Sequence, residues 1–365
     1  SAEEFALPAL AVGVYLTLAA MTRAEEKTRG RMLGFGAAAG WVFLIKYTDI
    51  GLFAGLGVCL LAFVWRREGF GRALLAAGRM LLGAALVCAP VAAYLAVNGA
   101  LGACVEVYFV QNLFDYSGMP MSLTGHVYNA LAYLRTQSVI NPAVTVLVAL
   151  GAGFVLLDAA KRHEKGWVWQ TLALPMGAGL LLLTCYWGEM AHPYYALAFA
   201  GLCAPGLIPL AWLANRAERR GLFAWMLPMA GVLAVTPTCM GLCRAVPLMQ
   251  VRKADMPQTV FAEMMNREGN PTLLDITSLD QGFYLAAGIV PNCRYFADNN
   301  LQTKEKKEAI ASYLAEGKTQ FVVTRYADPG ERYALIAEAD GVFDLNDMRH
   351  YKLYERIEEN DRILP

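Results

Sequence analysis

The side chains in this sequence that could do chemistry lie in short polar clusters at the ends of long apolar runs. Lys46 ends one such run and directly precedes Tyr47, with Asp49 two residues further on. A cation at that depth could bind an anionic lipid head group such as a phosphate. It could equally extend its ammonium group to the membrane surface or pair with Asp49. Arg244, which ends the last apolar run, could join the same phosphate site or act as an interfacial anchor.

A second cluster, between positions 186 and 195, combines one carboxylate, one histidine and several aromatic rings. Glu189 or His192 could exchange a proton with a substrate, and Tyr194 and Tyr195 could donate hydrogen bonds or stack on a sugar. The same composition is typical of an aromatic belt at a membrane surface, with proline in the first helical turn. The sequence leaves both interpretations open.

Acidic and amide groups provide two further candidates. Glu3 and Glu4 head the first apolar run, where carboxylates favour the N-terminal dipole of a helix. Beside Lys46 they could also act on an acceptor hydroxyl or hold a divalent metal ion, although the sequence establishes no cofactor. Asn112 lies among aromatic residues in the long loop 98–141 and could line a substrate groove.

Composition and missing motifs exclude several classes of protein. The chain is 57% hydrophobic and 17% charged, whereas a soluble domain carries about 25% charged residues. Its first 250 residues hold 17 basic and 12 acidic residues, and the remainder holds 14 and 19. A nucleic-acid partner is not expected, because the polar C-terminal part is acidic. The sequence contains no hydrolase or ATPase motif that we recognise. The glycine pairs at 34–36 and 151–153 fit helix packing better than phosphate loops.

Basic residues set the orientation of the elements that must position these clusters. Fourteen of the 17 basic residues in the first 250 positions fall in four short loops that recur after every second apolar run. This is the positive-inside pattern of a multi-pass membrane protein. It predicts a transmembrane domain, residues 1–244, with eight spans at about 5–22, 32–48, 49–66, 73–97, 142–158, 167–187, 193–214 and 222–243. The stub before the first span, the turn at 47–49, an interfacial loop at 98–141, the turn at 188–192 and everything after 244 would lie outside the cytoplasm.

Residues 245–365 are predicted to form a soluble α/β domain outside the cytoplasm, because short strand and helix patterns alternate there. The predicted strands are 272–276, 293–297, 319–325 and 351–356, and the predicted helices are 278–287, 304–316 and 331–339. The predicted fold is therefore a polytopic α-helical membrane protein with a C-terminal extracytoplasmic α/β domain.

The order of these clusters resembles the bacterial GT-C glycosyltransferases, near the protein mannosyltransferase and aminoarabinose transferase branch. The matching segments run through most of the chain. They are Glu3-Glu4-Phe5-Ala6-Leu7-Pro8, Lys46-Tyr47-Thr48, the stretch from Tyr108 to Tyr116, His192-Pro193-Tyr194-Tyr195, Gly282-Phe283-Tyr284-Leu285 and Pro291-Asn292-Cys293-Arg294-Tyr295-Phe296.

The resemblance implies an inverting transferase in the bacterial plasma membrane. It would move a sugar from a polyprenyl-phosphate donor to a lipid, glycan or protein acceptor outside the cytoplasm. It places the usual acidic base in an outer loop upstream of Ser1 and matches Glu3 or Glu4 to a second acidic position. Lys46, His192, Tyr194 and Arg244 would face the lipid phosphate and the sugar.

Two other functions compete with sugar transfer: a transporter or flippase of a lipid-linked substrate, and a non-catalytic envelope scaffold. Transporters tend to show inverted repeats and broken helices near the bilayer midplane, and the sequence shows no such repeat. Its unusual polar groups all fall on the outer side instead. We therefore expect the span ends around Lys46 and His192 to converge on one cavity.

Overall fold

A computed structural model describes residues 2–22, 28–115, 122–163, 165–187, 192–218, 247–277, 281–296, 303–344 and 347–357, with the isolated positions 229, 233 and 237. The chain divides into two compact units, Ser1–Trp225 and Met226–Pro365. The predicted boundary at 244 and nearly all of the predicted span 222–243 lie outside the described residues.

The first unit is helical throughout its described part. Its α-helices are α1 (Ala2–Thr22), α2 (Thr28–Ile45), α3 (Ile50–Glu68), α4 (Phe70–Val97), α5 (Leu101–Cys104), α6 (Leu123–Ile140), α7 (Pro142–Arg162), α8 (Trp167–Cys185) and α9 (Ala204–Glu218). Three further segments are helical but not α-helical. They are a 3₁₀ turn at Tyr47–Asp49, a π-helix at Val105–Asp115 and a 3₁₀ helix at Pro193–Cys203. The loop 98–141 therefore consists largely of helix.

Six helical segments in the described residues are long and apolar enough to cross a membrane. They are Ala2–Thr22, Tyr47–Glu68, Phe70–Val97, Pro142–Arg162, Trp167–Cys185 and Tyr194–Trp212. The predicted span 32–48 forms α2, which is not among the six and ends before Lys46. The most apolar window of α4 is only 11% buried, and Leu81 and Val97 are exposed. Such apolar outer faces suit a lipid environment rather than water.

Small residues let the helix backbones approach closely. A Cβ atom added at Gly36 of α2 would lie 1.8 Å from the Met80 carbonyl oxygen of α4. One added at Gly51 of α3 would lie 2.4 Å from the Leu180 carbonyl oxygen of α8. Glycine at these contacts is what van der Waals packing between membrane helices favours. These two pairings, with α1 packed on α2, hold the N-terminus of α1 and the α2–α3 turn together.

The second unit contains a four-stranded mixed sheet. Its strands are β1 (Leu273–Asp275), β2 (Phe321–Thr324), β3 (Tyr333–Asp344) and β4 (Asp347–Arg356), and its α-helices are α10 (Pro257–Met265), α11 (Phe283–Ala287) and α12 (Lys304–Ala315). The strands lie in the order β1-β2-β4-β3. β1 and β2 are parallel, and the other pairs are antiparallel. Phe261, Phe283 and Phe321 form the centre of its apolar core.

Two predicted elements of this unit are wrong. Residues 331–339 do not form a helix, because β3 pairs with β4 along its length. The local composition of alanine, leucine and glutamate favours a helix, but pairing with β4 overrides that preference. Residues 293–296 form a turn and not a strand, and the predicted helix 278–287 is described as helix only over Phe283–Ala287.

Candidate functional site

Lys46 lies at the centre of a buried ionic cluster. Its ammonium group forms an ion pair with the Glu3 carboxylate and lies 3.9 Å from Asp49 Oδ1. The Glu3 and Asp49 side chains are 1% and 0% exposed, whereas Lys46 is 15% exposed. The pair between Lys46 and Asp49, which the sequence left open as an alternative to phosphate binding, is present in the structure. Glu3, 43 residues earlier in the sequence, also pairs with Lys46.

Helix ends bring these three groups together. α2 ends at Ile45, Lys46 adopts an extended backbone conformation, and the following 3₁₀ turn places Asp49 at the start of α3. Glu3 lies in the first turn of α1. Each carboxylate therefore lies near the positive end of a helix dipole, where negative charge is favoured.

Tyr108 in the π-helix fixes the turn between α2 and α3. Its hydroxyl donates to the Phe43 carbonyl at 2.8 Å and accepts from the Tyr47 backbone N–H at 3.1 Å. Burial raises the pKa of Tyr108 to about 12, so the hydroxyl keeps the proton that it donates. Tyr108 thus satisfies backbone groups that the break between the two helices leaves open.

The cluster holds more negative charge than positive. Asp49 Oδ1 accepts hydrogen bonds from Cys185 Sγ at 3.2 Å and from Thr48 Oγ1 at 3.4 Å. Glu3 Oε2 and Asp49 Oδ2 are buried with no hydrogen-bond partner among the described residues. Two carboxylates share one ammonium group, so an incoming hydroxyl, proton or cation would be favoured over an anion.

Aromatic rings form one wall of the cluster. The Lys46 ammonium lies 3.6 Å from the centroid of the Tyr195 ring, a cation–π contact. The His192 ring stacks on Tyr194 at 5.1 Å and meets Tyr195 edge-on at 5.4 Å. Lys46 and the segment around His192 therefore meet at one place, although the sequence separates them by 146 positions.

An apolar cavity of about 410 Å³ lies between α6, α7, α8 and the 3₁₀ helix Pro193–Cys203. Tyr186 in its wall stacks on Tyr133, and its centroid lies 6.1 Å from that of Tyr195. Cys185, which precedes Tyr186 in the chain, donates a hydrogen bond to Asp49. The cavity therefore reaches to within one ring of the ionic cluster. Gln137 and Asn141 add amide groups to a lining that is otherwise largely aliphatic and aromatic.

Other predicted site residues are placed differently. Glu4 is exposed one position along α1 from buried Glu3. The Asn112 amide donates to the Val107 and Tyr108 carbonyls of its own helix. Glu189 and Arg244 lie outside the described residues.

A metal site finds little support in the described residues. No group of three or more His, Cys, Asp or Glu side chains among them could hold a metal ion. Glu3 and Asp49 provide two carboxylates, and the Lys46 ammonium group already neutralises part of their charge.

Sequence reasoning missed Tyr108, which holds the α2–α3 turn, and Cys185, which donates a hydrogen bond to Asp49. Tyr108 lies in a segment predicted as an aromatic interfacial loop, and Cys185 lies in a predicted span. No residue spacing in the sequence links either of them to Lys46. Glu3 was already a candidate beside Lys46, and the structure pairs the two.

Comparison of the chain with protein-family models, with curated proteins and with solved structures gives no match. The resemblance to GT-C glycosyltransferases therefore stays a prediction.

Proposed function

We propose that this chain is a multi-pass membrane enzyme that transfers a sugar from a polyprenyl-phosphate donor to an acceptor hydroxyl. One observation carries the proposal: a buried carboxylate pair on Lys46 lies next to an apolar cavity, with aromatic rings between them. An isoprenoid chain needs an apolar groove, a sugar stacks on aromatic rings, and an acceptor hydroxyl needs a base.

Contacts at the two ends of α1 support the orientation that we propose for the first unit in the membrane. Arg31 donates to the Ala19 carbonyl and Arg162 to the Thr22 carbonyl, so basic residues of two predicted inner loops meet at the end of α1. Glu3 lies at the other end of α1, with Lys46. By the positive-inside rule, we place the ionic cluster and the C-terminal unit on the outer side of a bacterial plasma membrane.

We propose a single inverting transfer step. The acceptor hydroxyl gives its proton to the Glu3 carboxylate as its oxygen bonds to the anomeric carbon. The bond from that carbon to the phosphate oxygen breaks, and its electron pair leaves with polyprenyl phosphate, which inverts the anomeric configuration. Glu3 Oε2 is the natural proton acceptor because it has no hydrogen-bond partner in the described part of the chain.

Lys46 takes a different role from the one expected from sequence. Its charge is balanced by Glu3 and Asp49, so a phosphate at Lys46 would face two carboxylates at close range. We assign Lys46 to orienting the Glu3 carboxylate through their ion pair. Arg244 remains the predicted cation for the leaving phosphate.

Replacing Glu3 by glutamine is expected to lower sugar transfer by about 10²- to 10⁴-fold, because general-base catalysis contributes about that factor. Glutamine keeps a hydrogen-bond acceptor for Lys46, so the fold should survive. Transfer from radiolabelled polyprenyl-phosphate sugars in proteoliposomes measures the rate, and a thermal melt checks folding. Glu4→Gln, at the exposed neighbouring position, is the control and should keep the wild-type rate. A folded Glu3→Gln protein with wild-type transfer would exclude Glu3 as the base.

A cation-coupled transporter of the lipid-linked sugar is the second candidate. It is favoured by the negative charge of the cluster and by the span Tyr194–Trp212, which begins as a 3₁₀ helix of 11 residues. Runs of 3₁₀ helix beyond 3 to 4 residues are uncommon and often mark hinges. Movement of the labelled donor between leaflets with no glycosylated product would favour this function over transfer.

A further inference from the structure

A second cavity lies at the opposite end of α3 from the ionic cluster. Its volume is about 760 Å³, within the range of about 300–1,000 Å³ found for ligand sites. It combines three tryptophans with three groups that can carry positive charge. These residues are Trp65, Arg66, His163, Lys165, Trp167 and Trp169.

The backbone conformation at Gly166 helps to shape this cavity. Gly166 adopts a φ of 96° between α7 and α8, a conformation that other residues rarely take. A Cβ atom there would also lie 3.0 Å from the Phe63 ring of α3. The α7–α8 turn is therefore held against α3, and His163 packs on Trp167 with ring centroids 5.1 Å apart.

The charge in this cavity is not neutralised by the described residues that line it, since none of them is a carboxylate. Within the described ranges, neither Arg66 nor Lys165 takes part in an ion pair, whereas Arg162 nearby is paired with Asp158 at 3.0 Å. An anion would complete the site. Tryptophan prefers the head-group level of a bilayer, and basic pockets between helices on the cytoplasmic side bind anionic lipid head groups.

We propose that this cavity binds the phosphate of an anionic phospholipid from the membrane leaflet on the side of the basic loops. Arg66 and Lys165 hold the phosphate oxygens, and the tryptophans enclose the glycerol region. The proposal uses the membrane placement given above but does not depend on sugar transfer, so either can fail without the other.

Quenching of tryptophan fluorescence by brominated lipids tests this site. Three of the 7 tryptophans line the cavity, so the signal is large. The full chain in phosphatidylcholine nanodiscs is titrated with dibrominated phosphatidylglycerol, and dibrominated phosphatidylcholine measures non-specific quenching. We expect phosphatidylglycerol to quench more at equal mole fraction. Removing one charge should weaken its apparent affinity about fivefold, and Arg66→Gln with Lys165→Gln roughly thirtyfold.

Arg72→Gln is the matched control, since Arg72 is exposed on α4 on the same side but does not line the cavity. It should titrate like the wild type. Equal losses in Arg72→Gln and in the double variant, or no excess quenching by phosphatidylglycerol, would overturn the proposal. So would displacement of the lipid by millimolar inorganic phosphate, which would make the ligand a free ion. Should the double variant misfold, native mass spectrometry of the wild type decides: it should retain phosphatidylglycerol over phosphatidylcholine, and equal retention would refute the site.

Discussion

Replacing Lys46 by methionine is expected to destabilise the first unit by about 3–5 kcal/mol, the cost of removing one partner from a buried ion pair. Methionine is unbranched and only one atom shorter than lysine, so most of the loss measures charge. Glu3 and Asp49 would stay buried with no cation among the described residues in ion-pair contact. Unfolding in detergent, followed by circular dichroism, measures the change.

This expectation differs from the one that the sequence alone suggests. An outward-side lysine that binds a phosphate could be removed with little loss of stability. The two carboxylates around Lys46 reverse that expectation. Combining Lys46→Met with Glu3→Gln and Asp49→Asn removes all three charges and should recover most of the lost stability. A single Lys46→Met variant as stable as the wild type would show that the cluster does not exist as described.

Substituting alanine for Gly36 is expected to destabilise the packing of α2 on α4 by about 1–3 kcal/mol or more, since this is the usual range for overpacking. The added methyl group would lie 1.8 Å from the Met80 carbonyl oxygen, which is backbone and cannot rotate away. The two helices must move apart, and α2 carries Lys46 at its end. Thermal unfolding in detergent measures the stability, and sugar transfer should fall as well.

Gly78→Ala provides the matched control, because it makes the same substitution within α4. The Cβ atom at Gly78 would meet no described atom within 4 Å. Alanine in a helix interior is favoured over glycine by about 1 kcal/mol, so this variant should be as stable as the wild type or slightly more stable. If Gly36→Ala and Gly78→Ala behaved alike, the close approach of α2 and α4 would be disproved.

The sequence predicted the helical organisation of the first unit because its signals are long and regular. Apolar runs of membrane length and recurring basic loops specify where helices begin and end. The same regularity shows that Lys46 and Asp49 share a turn between two helices. The glycine at 36 was correctly assigned to helix packing, whereas Gly153 of the second glycine pair has nothing described within 4 Å.

Features that depend on tertiary contact could not be predicted. The sequence placed Glu3 on the same side as Lys46, but their ion pair requires α1 to pack on α2 with their opposite ends together, which no local pattern states. Tyr108 satisfies backbone groups of a different element, so its role becomes visible only in the fold. β3 was mistaken for a helix because its composition favours a helix and its strand partner lies further along the chain.

Photo-crosslinking of a polyprenyl phosphate that carries a diazirine in its isoprenoid chain tests the central claim most directly. The account predicts that labelled peptides come from the cavity beside the ionic cluster, in α6, α7 and α8, at positions such as Leu134, Val148 and Leu182. Unlabelled polyprenyl phosphate should compete. Labelling spread over the exposed outer face of α4, at Leu81 and Leu82, without competition, would contradict it.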